Sequence, residues 1–328
     1  MTKQKTVLVT GATGLLGKQV LQLLVTQDYK IYAVKRTYSI IPLESEKINW
    51  VLINSFEDNL FEQIPIAIDF VIHAAALVSY KKSDKEKIFQ INTRWTTKFA
   101  QHASEARVEK FIFISSISAL AKNSKDNLID ETTPKSEKEF LSNYGKSKRK
   151  AEEKLWELSK NGLPILIFNP SVIIGPAKRY QSSAQLFGYV SDQKPFYTKG
   201  VINYIDVRDV ANIIVGSLEN KIVNEQFVLN AGSISYRDFF KAIAKQLNVR
   251  APYVGVPKFM VIFGAIIENI VSKLSGKPAT LTMETARMAG NDKIFNVEKS
   301  NNIFNPRYKN LDHSIEWTVK EMQKKGEL

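Results

Sequence analysis

Tyr144-Gly-Lys-Ser-Lys148 sets a phenol four residues ahead of an ammonium, and at that spacing both side chains lie on one face of a helix. A phenol with a free pKa near 10 is a poor proton donor or acceptor at neutral pH unless its surroundings tune it, and a neighbouring cation is one way to do so. Spacing alone proves nothing. With 12 tyrosines and a lysine at about one position in nine, roughly one such pair arises by chance. Position carries the information: this is the sole Tyr-x-x-x-Lys of the chain, and it follows an apolar run, Lys110-Phe-Ile-Phe-Ile-Ser115, that ends in Ser115-Ser116.

A second constellation stands at the start. Thr6-Val-Leu-Val-Thr10 is followed at once by Gly11-Ala-Thr13-Gly14-Leu15-Leu16-Gly17 and an amphipathic stretch. Glycines between a strand and a helix permit a tight turn, close approach of backbone to a pyrophosphate, and close packing of the helix on the strand, while the helix N-terminus faces the phosphate charge. A ligand-free tight turn is the alternative. About twenty residues on, where an NAD site places an acid for the ribose hydroxyls, the second strand ends in Lys35-Arg36-Thr37. A guanidinium there binds a 2′-phosphate that a carboxylate would repel, so NADP(H) is expected ahead of NAD(H). Solvated strand-end charges are the alternative reading.

These residues must be held by a sheet. Short β-branched runs at 6–10, 31–35, 50–53, 70–73, 110–115 and 164–168 alternate with amphipathic stretches near 15, 85–106 and 143–161. That alternation predicts an α/β, doubly wound parallel sheet, the Rossmann arrangement, with ligands at the carboxyl ends of the strands. A core over 1–175, rejoined by about 201–230, and a smaller C-terminal substrate lobe from 176–200 and 231–328 are expected.

The glycine spacing, the Tyr-x-x-x-Lys after the fifth strand, and Tyr204-Ile-Asp-Val-Arg-Asp-Val-Ala211 together resemble the extended short-chain dehydrogenases/reductases, the NAD-dependent epimerase/dehydratase family. Asn169-Pro-Ser-Val-Ile-Ile-Gly-Pro176 resembles the segment lining the nicotinamide in the dihydroflavonol-reductase-like and 3-beta-hydroxysteroid-dehydrogenase-like branch. The resemblance implies that Tyr144 and Lys148 are catalytic, that Lys148 also holds the nicotinamide ribose, and that Ser116 orients the substrate oxygen, with Ser115 as runner-up. It implies a proton-relay role for Asn92, against which stands a structural amide. It further implies cofactor contacts from Gly11, Thr13, Gly14, Leu15, Leu16 and Gly17, from Ala74, Ala75 and Ala76 after the fourth strand, and from Pro170 and Val172 beside the nicotinamide. Ser55 and Phe56 occupy the place where the family usually carries Gly-Asp against adenine. His73 reads as a satisfied strand-end histidine. A homodimer through the helices bearing Asn92 and Tyr144 is the family's usual assembly.

Bulk properties exclude other classes. The chain of 328 residues has no cysteine and three histidines, so thiolate chemistry, disulfides and a multi-histidine metal site are not expected. The formal charge of +13 comes mostly from lysines in helical stretches without interleaved aromatics, which argues for a solvated surface and against nucleic acid. The longest apolar run, Phe259 to Ile267, is too short to cross a bilayer. The helix expected over 256–274 reads as a wall of the substrate pocket, ahead of a dimer contact or shallow membrane association. Met1 to Lys5 runs straight into a strand, and a cytoplasmic location is expected.

The resulting expectation is an NADPH-dependent reductase of a small-molecule aldehyde or ketone, reversible as an alcohol dehydrogenase. A nucleotide-sugar epimerase or dehydratase with retained NAD, and a catalytically silent dinucleotide sensor or assembly protein, are the alternatives.

Overall fold

Successive residues of the apolar runs turn to opposite faces, and both faces are covered. Val7 and Val9 pack with one apolar cluster while Leu8 packs with the other; Ile112 and Ile114 oppose Phe111 and Phe113 in the same way, as do Leu166 and Phe168 against Ile165 and Ile167. The structure is a computed structural model and describes residues 4–56, 58–120, 128–134, 142–275, 286, 290 and 292–328.

The strands are β1 (Lys5–Thr10), β2 (Tyr29–Arg36), β3 (Ile48–Ile53), β4 (Phe70–His73), β5 (Lys110–Ile114), β6 (Leu128–Ile129), β7 (Ile165–Pro170), β8 (Val172–Ile174), β9 (Phe196–Thr198), β10 (Val201–Asp206), β11 (Glu225–Leu229), β12 (Gly232–Ser235), β13 (Val254–Val256) and β14 (Ile294–Phe295). Seven of them form one sheet in the order β11-β7-β5-β4-β1-β2-β3, parallel throughout. The order reverses between β1 and β4, which opens a crevice at the carboxyl edge. Helices α1 (Leu15–Leu24) and α6 (Val207–Gly216) cover one face. Helices α3 (Thr96–Glu105) and α4 (Asn143–Lys160) cover the other. This is the doubly wound Rossmann sheet expected from the sequence.

A third apolar cluster lies beside a three-stranded sheet in which β10 runs parallel to β8 and antiparallel to β12. Phe187 of α5 (Ala184–Ser191), Phe239 and Ile243 of α7 (Tyr236–Leu247), and Ile315, Val319 and Met322 of the helix Leu311–Gln323 fill it. The Tyr204–Ala211 segment ties this lobe to the large sheet. Asp206 caps α6 and pairs with Arg208, whose guanidinium lies 3.9 Å over the Trp317 ring, and Asp209 pairs with Lys309 at 3.2 Å. Part of 231–328 returns to the large sheet. Phe304 of the helix Glu298–Phe304 packs on Phe168 and Phe227, with ring centroids 5.7 and 5.0 Å away, and Lys299 bonds Glu225 at 2.6 Å. Phe168 and Phe227 thereby gain an aromatic cover.

Two glycines set the entry to α1. Gly11 has φ +68°, and a Cβ there would lie 2.6 Å from the Ala74 carbonyl carbon and the Ala75 nitrogen. A Cβ on Gly17 would lie 2.2 Å from the Gly11 oxygen. The helix thus sits directly on the turn that precedes it. Gly17→Ala is expected to lower the unfolding free energy by about 1–3 kcal/mol through overpacking against backbone that cannot yield. Urea denaturation measures this, and wild-type stability in the variant would refute the close contact.

Candidate active site

Because all seven strands run parallel, the residues that follow β1, β2, β3, β4, β5 and β7 emerge at one edge. Gly11, Thr37, Asn54, Ala74, Ser115 and Ser171 are each the first residue past one of these strands, and Arg36 is the last residue of β2. Helix α4 begins beside them. Ser142 caps it by accepting the Gly145 N–H at 3.0 Å, and the absence of a side chain on Gly145 lets the helix approach, since a Cβ would meet the Ser118 oxygen at 2.4 Å. Arg149 Nε donates to the Ala119 oxygen at 2.7 Å and holds the same turn. The helix start and the Ser116–Ala119 turn are therefore clamped together.

That clamp brings Ser116 and Tyr144 into contact. Burial pushes the Tyr144 phenol well above its ordinary pKa, Tyr80 adds to the rise, and hydrogen-bonding contact with the Ser116 hydroxyl opposes it. The Tyr80 ring stands edge-on, 6.4 Å away by centroid. Ser115 turns the other way, is buried, and bonds to Glu152 beneath the sheet edge. The geometry thus separates the two serines, with Ser116 on the tyrosine side. Lys148, one turn past Tyr144 and 1 % exposed, donates to the Ile114 oxygen at 2.7 Å and lies 4.4 Å over the Phe113 ring. Burial pushes its ammonium down to about 7, with the Glu152 carboxylate pulling upward.

Glu152 is a residue the sequence reading passed over. It lies one further turn along α4, fully buried, where its carboxylate accepts from Ser115 and from Asn169 Nδ2, the latter at 2.7 Å. Asn169 Nδ2 also reaches the Ser116 oxygen at 2.9 Å, and Gln226 Nε2 donates to Asn169 Oδ1 at 2.8 Å. The signal was present for Glu152: Tyr144, Lys148 and Glu152 repeat at intervals of four and share one helix face. For Gln226, on β11, no local pattern pointed to the site.

Asn92 lies in a π-helical turn, Gln90–Trp95, joining α2 (Lys85–Phe89) to α3. Its amide exchanges two hydrogen bonds with the Leu77 backbone, at 2.7 and 3.0 Å, and donates to Ser147 Oγ at 3.0 Å. Those contacts make it a clamp between the β4–α2 connection and α4. His73 is fully buried, bonded to Thr10 Oγ1 at 2.7 Å and Thr96 Oγ1 at 2.9 Å, and burial with the nearby Lys148 pushes its pKa well down. It is a neutral strand-end histidine.

The remaining residues line the other arm of the edge. Gly14 caps α1 in an extended conformation with its own N–H donated to the Gly11 oxygen at 2.9 Å, and no acid occupies the first turn, so no carboxylate of that turn competes for the N-terminus of α1. Leu15 borders Gly175, while the Leu16 side chain belongs to the core, leaving only its backbone for a ligand. Ala74 and Ala75 donate their N–H groups to Thr10, and Ala76 is exposed beyond them. Arg36, exposed, borders a groove of about 250 Å³ with Ile53, Asn54, Ser55, Phe56 and Gln90, and Lys35 is half-buried alongside. Asp58, also missed, accepts the Asn54 and Ser55 N–H groups at 3.1 and 2.9 Å, which shapes that groove. At the opposite end Pro170 is buried and Val172 half-buried, and the Ser171 hydroxyl between them is buried without a hydrogen-bond partner among the described residues. A positive-φ glycine turn, an open helix N-terminus and an unmatched buried hydroxyl fit an elongated dinucleotide whose far end carries hydrogen-bonding groups. Among the described residues no cluster could hold a metal ion.

A parallel doubly wound sheet with a glycine turn after β1 and Ser, Tyr and Lys gathered after β5 defines an extended short-chain dehydrogenase/reductase. The chain belongs to the NAD-dependent epimerase/dehydratase family, whose model matches residues 7–232. A Synechocystis sp. protein named as a provisional dihydroflavonol 4-reductase is 25 % identical over 89 % of this chain and 87 % of its own. The sterol-4-alpha-carboxylate 3-dehydrogenase of Dictyostelium discoideum is 27 % identical over 75 % of this chain and 77 % of its own. Among solved structures, gox2253 superposes with a TM-score of 0.85 at 24 % identity, covering 99 % of this chain and 100 % of that one. The last comparison concerns the fold alone.

The Lys148 shift has a consequence for stability. A lysine in the unfolded chain titrates near 10.4, whereas in the fold it titrates at about 7. Between these values the unfolded state binds more protons, so this group makes stability rise with pH, by up to about 1.4 kcal/mol per pH unit. Below about pH 7 both states are protonated and the contribution stays at its low level. Urea unfolding of the cofactor-free protein between about pH 7 and 9 is expected to show this rise. Lys148→Met should flatten it, and an unchanged slope in the variant would exclude Lys148 as its source.

Proposed function

We propose that the protein is an NADPH-dependent reductase of an aldehyde or ketone, reversible as an alcohol dehydrogenase. The observation that carries the reading is the clamping of the Ser116–Ala119 turn to the start of α4, which sets Ser116 beside Tyr144, one turn from a buried Lys148, at the strand edge that also holds the glycine turn. A nicotinamide supplies the hydride. The chain supplies the rest. Ser116 donates to the carbonyl oxygen and fixes it beside Tyr144, and Tyr144 delivers a proton to that oxygen as negative charge develops on it. Lys148, held by the Ile114 carbonyl, provides a positive field below the phenol and an ammonium within the cofactor's reach. Carbonyl, hydride and proton sum to the alcohol.

Arg36 supports NADPH over NADH, since it is exposed on the groove that contains Ser55 and Phe56. Asp58 does not oppose a phosphate with a bare charge, because its carboxylate faces two backbone N–H groups. Relatives named as reductases and dehydrogenases support this reading, and a UDP-glucose 4-epimerase of Vibrio cholerae is similar as well, at 25 % identity. Tightly retained NAD on purification together with turnover of a UDP-sugar would favour the epimerase. A homodimer through α3 and α4 and a cytoplasmic location complete the proposal, resting on the family resemblance and the absence of cysteine.

Two measurements test it. In a screen of NADPH oxidation across aldehydes and ketones, Tyr144→Phe is expected to lower kcat by about 10²–10⁴ while NADPH still quenches protein fluorescence. Retention of a large part of the activity would remove Tyr144 from the proton transfer. Arg36→Ala is expected to raise the KM for NADPH by about 10- to 100-fold, the loss of one charge-assisted pair, with little change for NADH. Equal effects on both cofactors would refute the phosphate contact.

A further inference from the structure

Helix α8 (Lys258–Ser275) turns the larger apolar side chains of its first nine residues outward. Phe259, Phe263 and Ile266 follow the spacing i, i+4, i+7 and form one stripe, with Met260 beside it; they are 71, 64, 45 and 52 % exposed. The smaller Val261 and Ala265 face inward, buried with Ala286 and flanked by Val256 and Ile262. A helix held by a protein core does the reverse, because burial free energy grows with apolar area. The stretch 256–274 was expected to wall the substrate pocket, yet among its described side chains Phe259, Met260, Phe263 and Ile266 face solvent. Strand β13, just before α8, pairs with β9, and this pair with the adjoining Tyr253 adds exposed Phe196, Tyr253 and Val254. Seven of the fifteen exposed large apolar side chains among the described residues thus fall in these two short stretches, a concentration that marks an interaction surface.

The rim of this patch is cationic. Lys194, Lys199, Arg250 and Lys258 are all exposed. Lys199 and Lys258 meet at Gly290, where a Cβ would lie 3.3 Å from the Lys199 oxygen and 3.6 Å from the Lys258 Cβ. The Arg250 guanidinium lies 3.9 Å over the Tyr253 ring. The Pro195 carbonyl, next to Lys194, accepts the N–H groups of Tyr253 and Val254 at 2.9 and 2.8 Å. Residues 193–204 and 248–267 contain no aspartate or glutamate.

We propose that this face docks on an anionic lipid bilayer, the α8 stripe entering the boundary between headgroups and acyl chains while the four cations meet lipid phosphates. Aromatic and aliphatic side chains outward, with cations at their edge, is the pattern that such a boundary binds, and the exposed acid next to Lys194, Asp192, is paired with Arg179. A second copy of the chain fits less well, because a twofold contact would set one cationic rim against another. The association is peripheral: among the described residues no helix is long and apolar enough to cross a membrane.

Flotation of the full chain with vesicles of phosphatidylcholine, alone or mixed with phosphatidylglycerol, tests the proposal. The protein is expected to rise with the mixed vesicles and far less with phosphatidylcholine alone. The double variants Phe259→Ser/Phe263→Ser and Lys194→Glu/Lys258→Glu should each lose at least about tenfold in partitioning. Their unfolding midpoints and NADPH binding should match the wild type, which separates this loss from misfolding and from the proposed chemistry. Absence of binding to either vesicle, or equal binding by wild type and variants, overturns the proposal. Variants that alter self-association by light scattering while vesicle partitioning stays the same would assign the face to a second copy instead.

Discussion

The candidate site depends on one buried carboxylate. Glu152 draws together elements distant in the chain: α4 that carries it, β5 through Ser115, β7 through Asn169, and β11 through Gln226 on Asn169. A buried charge is costly unless hydrogen bonds and an opposite charge meet it. Here both are present, since hydrogen bonds come from two neighbouring strands and the buried Lys148 lies one turn back on the same helix. Asn169 passes the constraint to the Ser116 carbonyl, so the backbone that presents the Ser116 hydroxyl is held from behind. Tyr144 and Lys148 project from the helix that Glu152 pins. The positions of all three groups at the sheet edge thus follow from a network that touches no substrate.

Much of this was legible in the chain. Alternation of apolar side chains located the strands of the large sheet, because a sheet covered on both faces needs unbroken runs such as Phe111 to Ile114. The glycine turn was legible because only glycine tolerates the approach of Ala74 at Gly11 and of the Gly11 carbonyl at Gly17. Tyr144 and Lys148 stood out by their place after Ser115-Ser116. Once parallel pairing was inferred, their convergence with the glycine turn followed from strand direction.

What stayed hidden was set by long-range contact. Nothing near Gln226 in sequence shows that it meets Asn169, because β7 and β11 become neighbours only in the folded sheet. A π turn in the helix aims the Asn92 amide at Leu77 and Ser147, contacts that no local pattern displays. Asp58 could not be separated from other surface acids, since its role is to receive backbone N–H groups from a turn whose shape the sequence does not display. Helix α8 was legible as apolar, but periodicity cannot tell which face meets the core. Small residues at Val261 and Ala265 inside and large ones outside decide it, and only the packing shows that assignment.

The electrostatics of the pair bear on the direction of the proposed reaction. Burial acts on both groups by disfavouring charge, raising the Tyr144 pKa and lowering that of Lys148. A phenol held above its ordinary range keeps its proton throughout neutral pH, and in carbonyl reduction it must start with that proton in order to give it away. The oxygen that gains negative charge after hydride arrival is a far stronger base than the phenolate, so the transfer runs downhill despite the raised pKa. Oxidation of an alcohol demands the opposite, a phenol deprotonated beforehand, and that form is what burial makes scarce. Positive charge brought near Tyr144 would relieve this, and Glu152 serves that end by pulling the Lys148 pKa upward. The same buried carboxylate that fixes the geometry therefore also moderates the cost of running the site in reverse.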